Sequence, residues 1–274
     1  MTEINTIFAV IDPSTDKQHA LQRAIRIAKV CNARIHAYLC ISPSLETHDI
    51  EALERVERTR YALWLDNIID EVKEENIDIS YELDWNQDWR TTLGPAAIRA
   101  NSDFIVKSSH RRSASKRLLM TSSDQALLET AHCSVQLVSS EVASDLYKVL
   151  IAVDTTRTDE KYQKIFEAVV EFGKTVAGSH DKGELHVVHA YSSSEDFQHV
   201  TDIARRVGVD SDYVHVNGNE LEDAIVEVAE NINADIIVIG LSTRSTLANR
   251  IFGNRVDKLL NNIDRDILVV IPSD

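Results

Sequence analysis

Ala234-Asp235-Ile236-Ile237-Val238-Ile239-Gly240 opens the stretch that decides the fold. A polar loop follows, then Ile251-Phe252-Gly253-Asn254-Arg255, a short helical segment, and the run Ile267 to Ile271. The first run is apolar at consecutive positions, the pattern of a strand buried on both faces of a parallel sheet. Gly240 closes it, and a glycine after a strand lets a backbone approach a ligand closely. Gly253 stands where the helical segment begins, and a helix N-terminus offers unpaired N–H groups to an anion. The order is strand, glycine, basic loop, glycine, helix, strand. An earlier stretch, Ser102 to Val138, repeats this order without the glycines.

Outward from there, the whole chain reads as an internal duplication. Asp12 matches Asp154, Ile35-His36-Ala37 matches Leu185-His186-Val187, and Tyr81 matches Tyr213. Ser102-Asp103-Phe104-Ile105-Val106 matches Ala234-Asp235-Ile236-Ile237-Val238. From Tyr81 onward the halves align without a gap, and the length difference falls before it, in a shorter middle helix of the second half. In the first half, Ile7–Ile11, Ile35–Ile41, Ile79–Trp85, Phe104–Val106 and Val135–Val138 read as strands. Leu21, Ala24, Ile25 and Ala28 mark one helix; Tyr61, Trp64, Leu65, Ile68, Ile69 and Val72 mark another. Thr91 to Ala100 reads as a third helix whose start Gly94-Pro95 delays or kinks.

Ser139 to Leu146, polar and small, reads as a linker between a domain of residues 1–142 and one of 147–274. The second half has strands at Val149–Val153, Leu185–Tyr191 and Tyr213–Val216. Thr158 is the expected N-cap of its first helix, with Asp159 and Glu160 in the first turn and Ile165, Ala168, Val169 and Phe172 as the stripe. Val200, Ile203, Ala204 and Val207 form a shorter helix, and Leu221–Ile232 the next. Alternating strands and helices predict parallel sheets covered on both faces, with right-handed crossovers.

The bulk properties narrow the function. The 274 residues are 43% hydrophobic, enough for a sizeable core. A formal net charge of −15 argues against a general nucleic-acid binder, since phosphate contacts need a basic surface. Cys31, Cys40 and Cys133 show no CxxC spacing and read as reduced thiols of a cytoplasmic protein. No apolar run reaches the roughly 18–20 residues of a membrane helix. The P-loop, nucleophile-elbow and HExxH patterns are absent, so no catalytic residue and no metal ligand is assigned.

Asp154 after the first strand of the second half, and Gly240 to Arg255 after its fourth, resemble the universal stress protein family. That family's nucleotide loop is written Gly-x2-Gly-x9-Gly-(Ser/Thr). Here Gly240 is followed after two residues by Thr243, and after nine more by Gly253-Asn254. Val10-Ile11-Asp12-Pro13 and Phe252-Gly253-Asn254 look most like the tandem E-type members. The resemblance covers nearly the whole chain. It implies two tandem adenine nucleotide alpha hydrolase-like domains, each a five-stranded parallel sheet of order 3-2-1-4-5, paired within the chain through their last strands. It also implies a stress-response protein, with a homodimer as a further expectation.

In the second domain the resemblance implies an adenine nucleotide (ATP, ADP or AMP), with Asp154 accepting from adenine or ribose. Gly240 and Gly253 would bring backbone N–H groups to the phosphates, and Arg244, Arg250 and Arg255 would add positive charge. Asn254 replaces the family hydroxyl and can still donate a hydrogen bond, whereas Thr243 puts a side chain where the family has glycine. The alternative is that Gly240 and Gly253 only shape a turn and a helix entry, and that Asp154 only caps the following segment. In the first domain Ser108, Arg111 and Thr121 replace the glycines while Ser122 keeps the hydroxyl, which argues against the usual ATP mode. Its loop residues His110, Arg111, Arg112, Lys116 and Arg117 read as a solvated loop or as an anion or partner patch.

Three functions stay open: a non-enzymatic nucleotide-binding regulator, a nucleotide-independent binding or scaffold protein, and a weak ATPase. Elsewhere, His186 and His189 lie on one predicted strand with side chains to opposite faces and so cannot share a metal. Trp64, Trp85 and Trp89 read as core packing or a contact surface. Cys40 and Cys133 read as inert core thiols, and Glu71–Glu75 as a solvated helix face.

Overall fold

The computed structural model describes residues 3–43, 49–109, 122–139, 146–241, 263 and 265–272. These fall into two compact units, the first made of residues 3–109 with 122–138, the second of the described residues from 139 onward. The first unit runs β1 (Thr6–Val10), α1 (His19–Cys31), β2 (Arg34–Ile41), α2 (Ile50–Lys73), β3 (Ile79–Trp85), α3 (Leu93–Arg99), β4 (Phe104–Ser108), α4 (Ser122–Thr130) and β5 (Ser134–Val138). The second runs β6 (Tyr147–Ala152), α5 (Glu160–Gly178), β7 (Gly183–Ala190), α6 (Val200–Val207), β8 (Val214–Asn217), α7 (Leu221–Ile232), β9 (Ile236–Gly240) and β10 (Asp266–Val270).

Within the first unit the strands pair in parallel in the order β3-β2-β1-β4-β5, and within the second in the order β8-β7-β6-β9-β10. In each unit the strand order therefore reverses between the first strand and the fourth. β1, β4, β5 and β10 are buried at every position, as expected of strands covered on both faces. Helices present one apolar stripe to the sheet: Leu65, Ile69 and Val72 from α2, and Ile165, Phe166, Val169, Val170 and Phe172 from α5. α2 spans 24 residues and α6 only 8, which is where the halves differ in length.

Matching residues do matching work in the two units. Asn101 and Asn233 both take a left-handed backbone just after a helix, a conformation asparagine tolerates better than most side chains. The matched pair two residues on holds the entry of the first strand: Asp103 Oδ2 accepts from the Asn5 and Thr6 amides, both at 2.9 Å, and Asp235 Oδ2 accepts from the Lys148 amide at 2.8 Å.

Three expectations need correction. The N-cap of α5 is Asp159, whose carboxylate accepts from the Tyr162 amide at 2.9 Å, so the helix starts one residue later than Thr158 predicts. Trp89–Thr91 form a separate 3-10 turn, and α3 begins only at Leu93, with Gly94-Pro95 inside its first turn where proline's missing N–H costs nothing. None of the three tryptophans joins the buried core; each is half-exposed. The expected helix after Gly253 and most of the expected linker lie outside the described residues.

Candidate functional site

Ligands of open parallel sheets sit beyond the carboxyl ends of the strands where strand order reverses. In the second unit that point lies between β6 and β9, which pair through Val149–Ile236 and Ile151–Val238. Asp154 follows β6 there and Gly240 ends β9, so the fold brings these two predicted site residues to neighbouring strand ends. Thr243, Arg244, Gly253, Asn254 and Arg255, with Arg250, lie outside the described residues.

Asp154 is held from both sides. Its amide donates to the Tyr162 hydroxyl at 2.6 Å, and its Oδ1 accepts from the Thr156 amide at 2.9 Å and the Thr156 hydroxyl at 2.6 Å. This is a closed Asx turn anchored by the first turn of α5. Burial pushes the Tyr162 phenol up to about 12, so it remains a neutral hydroxyl in ordinary buffers. Arg206 from α6 ties down the same loop. Its guanidinium donates to the Thr155 carbonyl at 2.6 Å and to Gln163 Oε1 at 2.8 Å, and it lies 4.4 Å from the centre of the Phe166 ring.

Gly240 has a packing role of its own. A Cβ at this position would lie 2.2 Å from Ile165 Cγ2 and 3.0 Å from Val169 Cγ2, inside any tolerable contact. The absent side chain lets α5 settle onto the end of β9. Its backbone belongs to the sheet, since Gly240 is in register with Val270 of β10.

The first unit builds the same turn and then diverges. Asp12 Oδ1 accepts from the Ser14 amide at 2.8 Å and the Ser14 hydroxyl at 2.6 Å, while the Asp12 amide donates to Gln18 Oε1 at 2.9 Å. Gln18 thus replaces Tyr162 as the helix-side anchor. Ser108 stands where the second unit has Gly240, and its hydroxyl accepts from the Ala20 amide at 3.1 Å, serving an otherwise orphan donor at the start of α1. Beside it Lys107, buried in β4, reaches Asp124 of α4 at 2.5 Å and the Ser108 carbonyl at 2.9 Å. Ser109 donates to the other oxygen of Asp124 at 2.9 Å. The matching residue of the second unit is Ile239. The ion pair escaped the sequence reading, although a lysine ending the apolar run Phe104 to Val106 was a visible signal. The basic loop from His110 to Arg117 lies outside the described residues.

The remaining candidates separate cleanly. His189 is fully buried, with its ring nitrogens 3.3 Å from the Val153 carbonyl and 3.1 Å from the Asp196 carbonyl. His186 faces other partners, in keeping with strand alternation. Burial raises the pKa of all three thiols, and that of Cys133 goes to about 12. Among the described residues no three His, Cys, Asp or Glu side chains converge to hold a metal ion. No helix among them is long and apolar enough to cross a membrane.

Comparison with known proteins matches this geometry. The sequence model described as "Universal stress protein family" fits residues 3–139 and again residues 147–270. Universal stress protein E of Photorhabdus laumondii is 24% identical over 302 residues, covering 99% of this chain and 96% of that one. Among solved structures, a functionally unknown protein from Pseudomonas aeruginosa superposes with a TM-score of 0.82 at 22% identity, covering 99% of this chain and 94% of its own. A universal stress protein from Archaeoglobus fulgidus gives 0.77 at 18% identity, covering 100% and 98%. At these identities the two structures speak for the fold alone.

Proposed function

The chain belongs to the universal stress protein family, and from that premise we propose that it is a cytoplasmic, non-enzymatic stress-response protein that binds one adenine nucleotide, in its second unit. The observation that carries this reading is the difference between the two strand-order reversals. The second unit places Asp154 beside the Gly240 end of β9 with apolar Ile239 before it. The first unit places the buried Lys107–Asp124 pair at the same location, together with the Ser108 side chain. A buried ion pair is costly to break, because it leaves an uncompensated charge. A ligand entering the first unit there would meet this charge pair and the Ser108 hydroxyl where the second unit has Ile239 and Gly240.

In the second unit Asp154 Oδ1 is engaged by Thr156, and Oδ2 makes neither of those bonds. A carboxylate oxygen fixed in this way suits a ribose or adenine donor. Gly253 and Asn254 with Arg244 and Arg255 would then meet the phosphates, Asn254 supplying a donor where the family has a hydroxyl.

One observation favours a second reading, a nucleotide-independent binding or scaffold protein. Gly240 is fully explained by the contact of α5 with β9. Mass spectrometry of small molecules released from freshly purified chain separates the readings. The nucleotide reading expects ATP, ADP or AMP in amounts that Asp154→Ala removes and Asp12→Ala leaves unchanged. An empty chain that also fails to bind added millimolar ATP would leave the scaffold reading. Phosphate release from ATP that Asp154→Ala abolishes would instead make the protein a slow ATPase.

A further inference from the structure

His186 and His215 form a pair that the nucleotide reading does not use. Side chains alternate along a strand, so Glu184 and His186 of β7 share one face. His215 of β8 is in register with Val188, which lies on that same face, so His186 and His215 are diagonal neighbours across the strands. His186 Nδ1 lies 3.2 Å from His215 Nε2, with the ring planes 21° apart. Glu184 Oε2 lies 3.3 Å from the other nitrogen of His186. Tyr213 packs edge-on against His186 at 5.0 Å.

Glu184 decides the tautomer. Its carboxylate favours the proton on His186 Nε2, which leaves the Nδ1 lone pair directed toward His215. A proton on His215 Nε2 would then be donated to that lone pair. Two imidazole nitrogens on one tetrahedral ion, at 2.0–2.1 Å each, stand about 3.3 Å apart. The observed separation of 3.2 Å is that of a hydrogen bond and also close to the spacing a chelate needs.

We propose that His186 Nδ1 and His215 Nε2 chelate one divalent transition-metal ion, with Glu184 orienting His186 and water completing the coordination. On binding, His215 shifts its proton from Nε2 to Nδ1 through solvent, so both nitrogens present lone pairs and no proton is gained or lost. Lys148 of the adjoining strand directs its Nζ to the Ile232 carbonyl at 3.1 Å. His215 is half-exposed on β8, the last strand of its unit's order, which gives an ion access. With two protein ligands the site is open and exchangeable, unlike a four-ligand structural zinc centre. Cu2+ should bind most tightly among first-row divalent ions.

The test uses the full-length, tag-free chain loaded with one equivalent of Cu2+ and read by electron paramagnetic resonance, with Zn2+ titrated by calorimetry. The expected result is one site per chain, with hyperfine structure from two imidazole nitrogens. His215→Ala, at a half-exposed position, should fold normally by circular dichroism and lose the two-nitrogen signal. Glu184→Ala should weaken Zn2+ binding by about tenfold, and His199→Ala should leave it unchanged. A two-nitrogen signal that survives His215→Ala, or wild-type chain that binds neither ion at this stoichiometry, overturns the proposal. Should His186→Asn fail to fold, the His215 and Glu184 variants still decide it.

Discussion

At the residue scale, the most informative position is Gly240, because its glycine has a packing explanation independent of any ligand. Gly240→Ala forces its Cβ into Ile165 and Val169. It should cost about 1–3 kcal/mol, the usual penalty of overpacking, seen as a lower urea midpoint. Combined with Ile165→Ala, the loss should fall short of the sum of the single losses, since the second change clears the space. Additive losses would place the clash elsewhere. Lys107→Met should cost more, about 3–5 kcal/mol, because it removes the counter-charge of the buried Asp124 carboxylate; a change under about 1 kcal/mol would contradict a buried, coupled pair. Cys133 gives a pH prediction. Its thiol is held up to about 12 by burial, above the ordinary thiol value of 9.0, so the folded chain keeps a proton that the unfolded chain releases. The resulting stability is whole below about pH 9 and is lost as pH rises toward 12. Cys133→Ala should flatten that alkaline decline, leaving the part due to the other groups whose pKa burial raises, Cys31, Cys40, Tyr38 and Tyr162 among them, and an unchanged slope would exclude the thiol as a source.

At the scale of elements, the loop after β6 is fixed by α5 and α6 more than by itself. Tyr162→Phe removes the acceptor of the Asp154 amide, and exchange of that amide with solvent should quicken while amides in the centre of β6 keep their protection. Equal exchange in both chains would mean that the Asx turn with Thr156 suffices. This anchoring was not legible in the sequence, because it depends on side chains eight and fifty-one residues away in α5 and α6. Most strands were legible as apolar runs bounded by polar residues, and the more polar β3, like α7, has the bounds its pattern predicts. The cap at Asp159 was missed by one residue because Thr158 and Asp159 are both good caps, and only the backbone decides between them. The histidine pair was hidden for a related reason. Alternation within β7 separates His186 from His189, but the partner His215 comes from another strand, and only register brings it near.

At the scale of the whole molecule, duplication is the fact from which function follows. Two copies of one domain keep the same strand order, the same Asx turn and the same bracing aspartate, so the scaffold tolerates divergence at the strand ends. The first copy has filled its reversal point with Ser108 and the Lys107–Asp124 pair; the second retains Asp154 beside Gly240. The central claim is therefore one of asymmetry: a single nucleotide per chain, held by the second copy. Calorimetric titration of ATP into nucleotide-stripped, full-length chain tests it most directly, with Asp12→Ala and Asp154→Ala beside the wild type. The account predicts one site per chain, unchanged in Asp12→Ala and lost in Asp154→Ala. Two sites per chain, no binding at all, or a site lost in Asp12→Ala but kept in Asp154→Ala would contradict it.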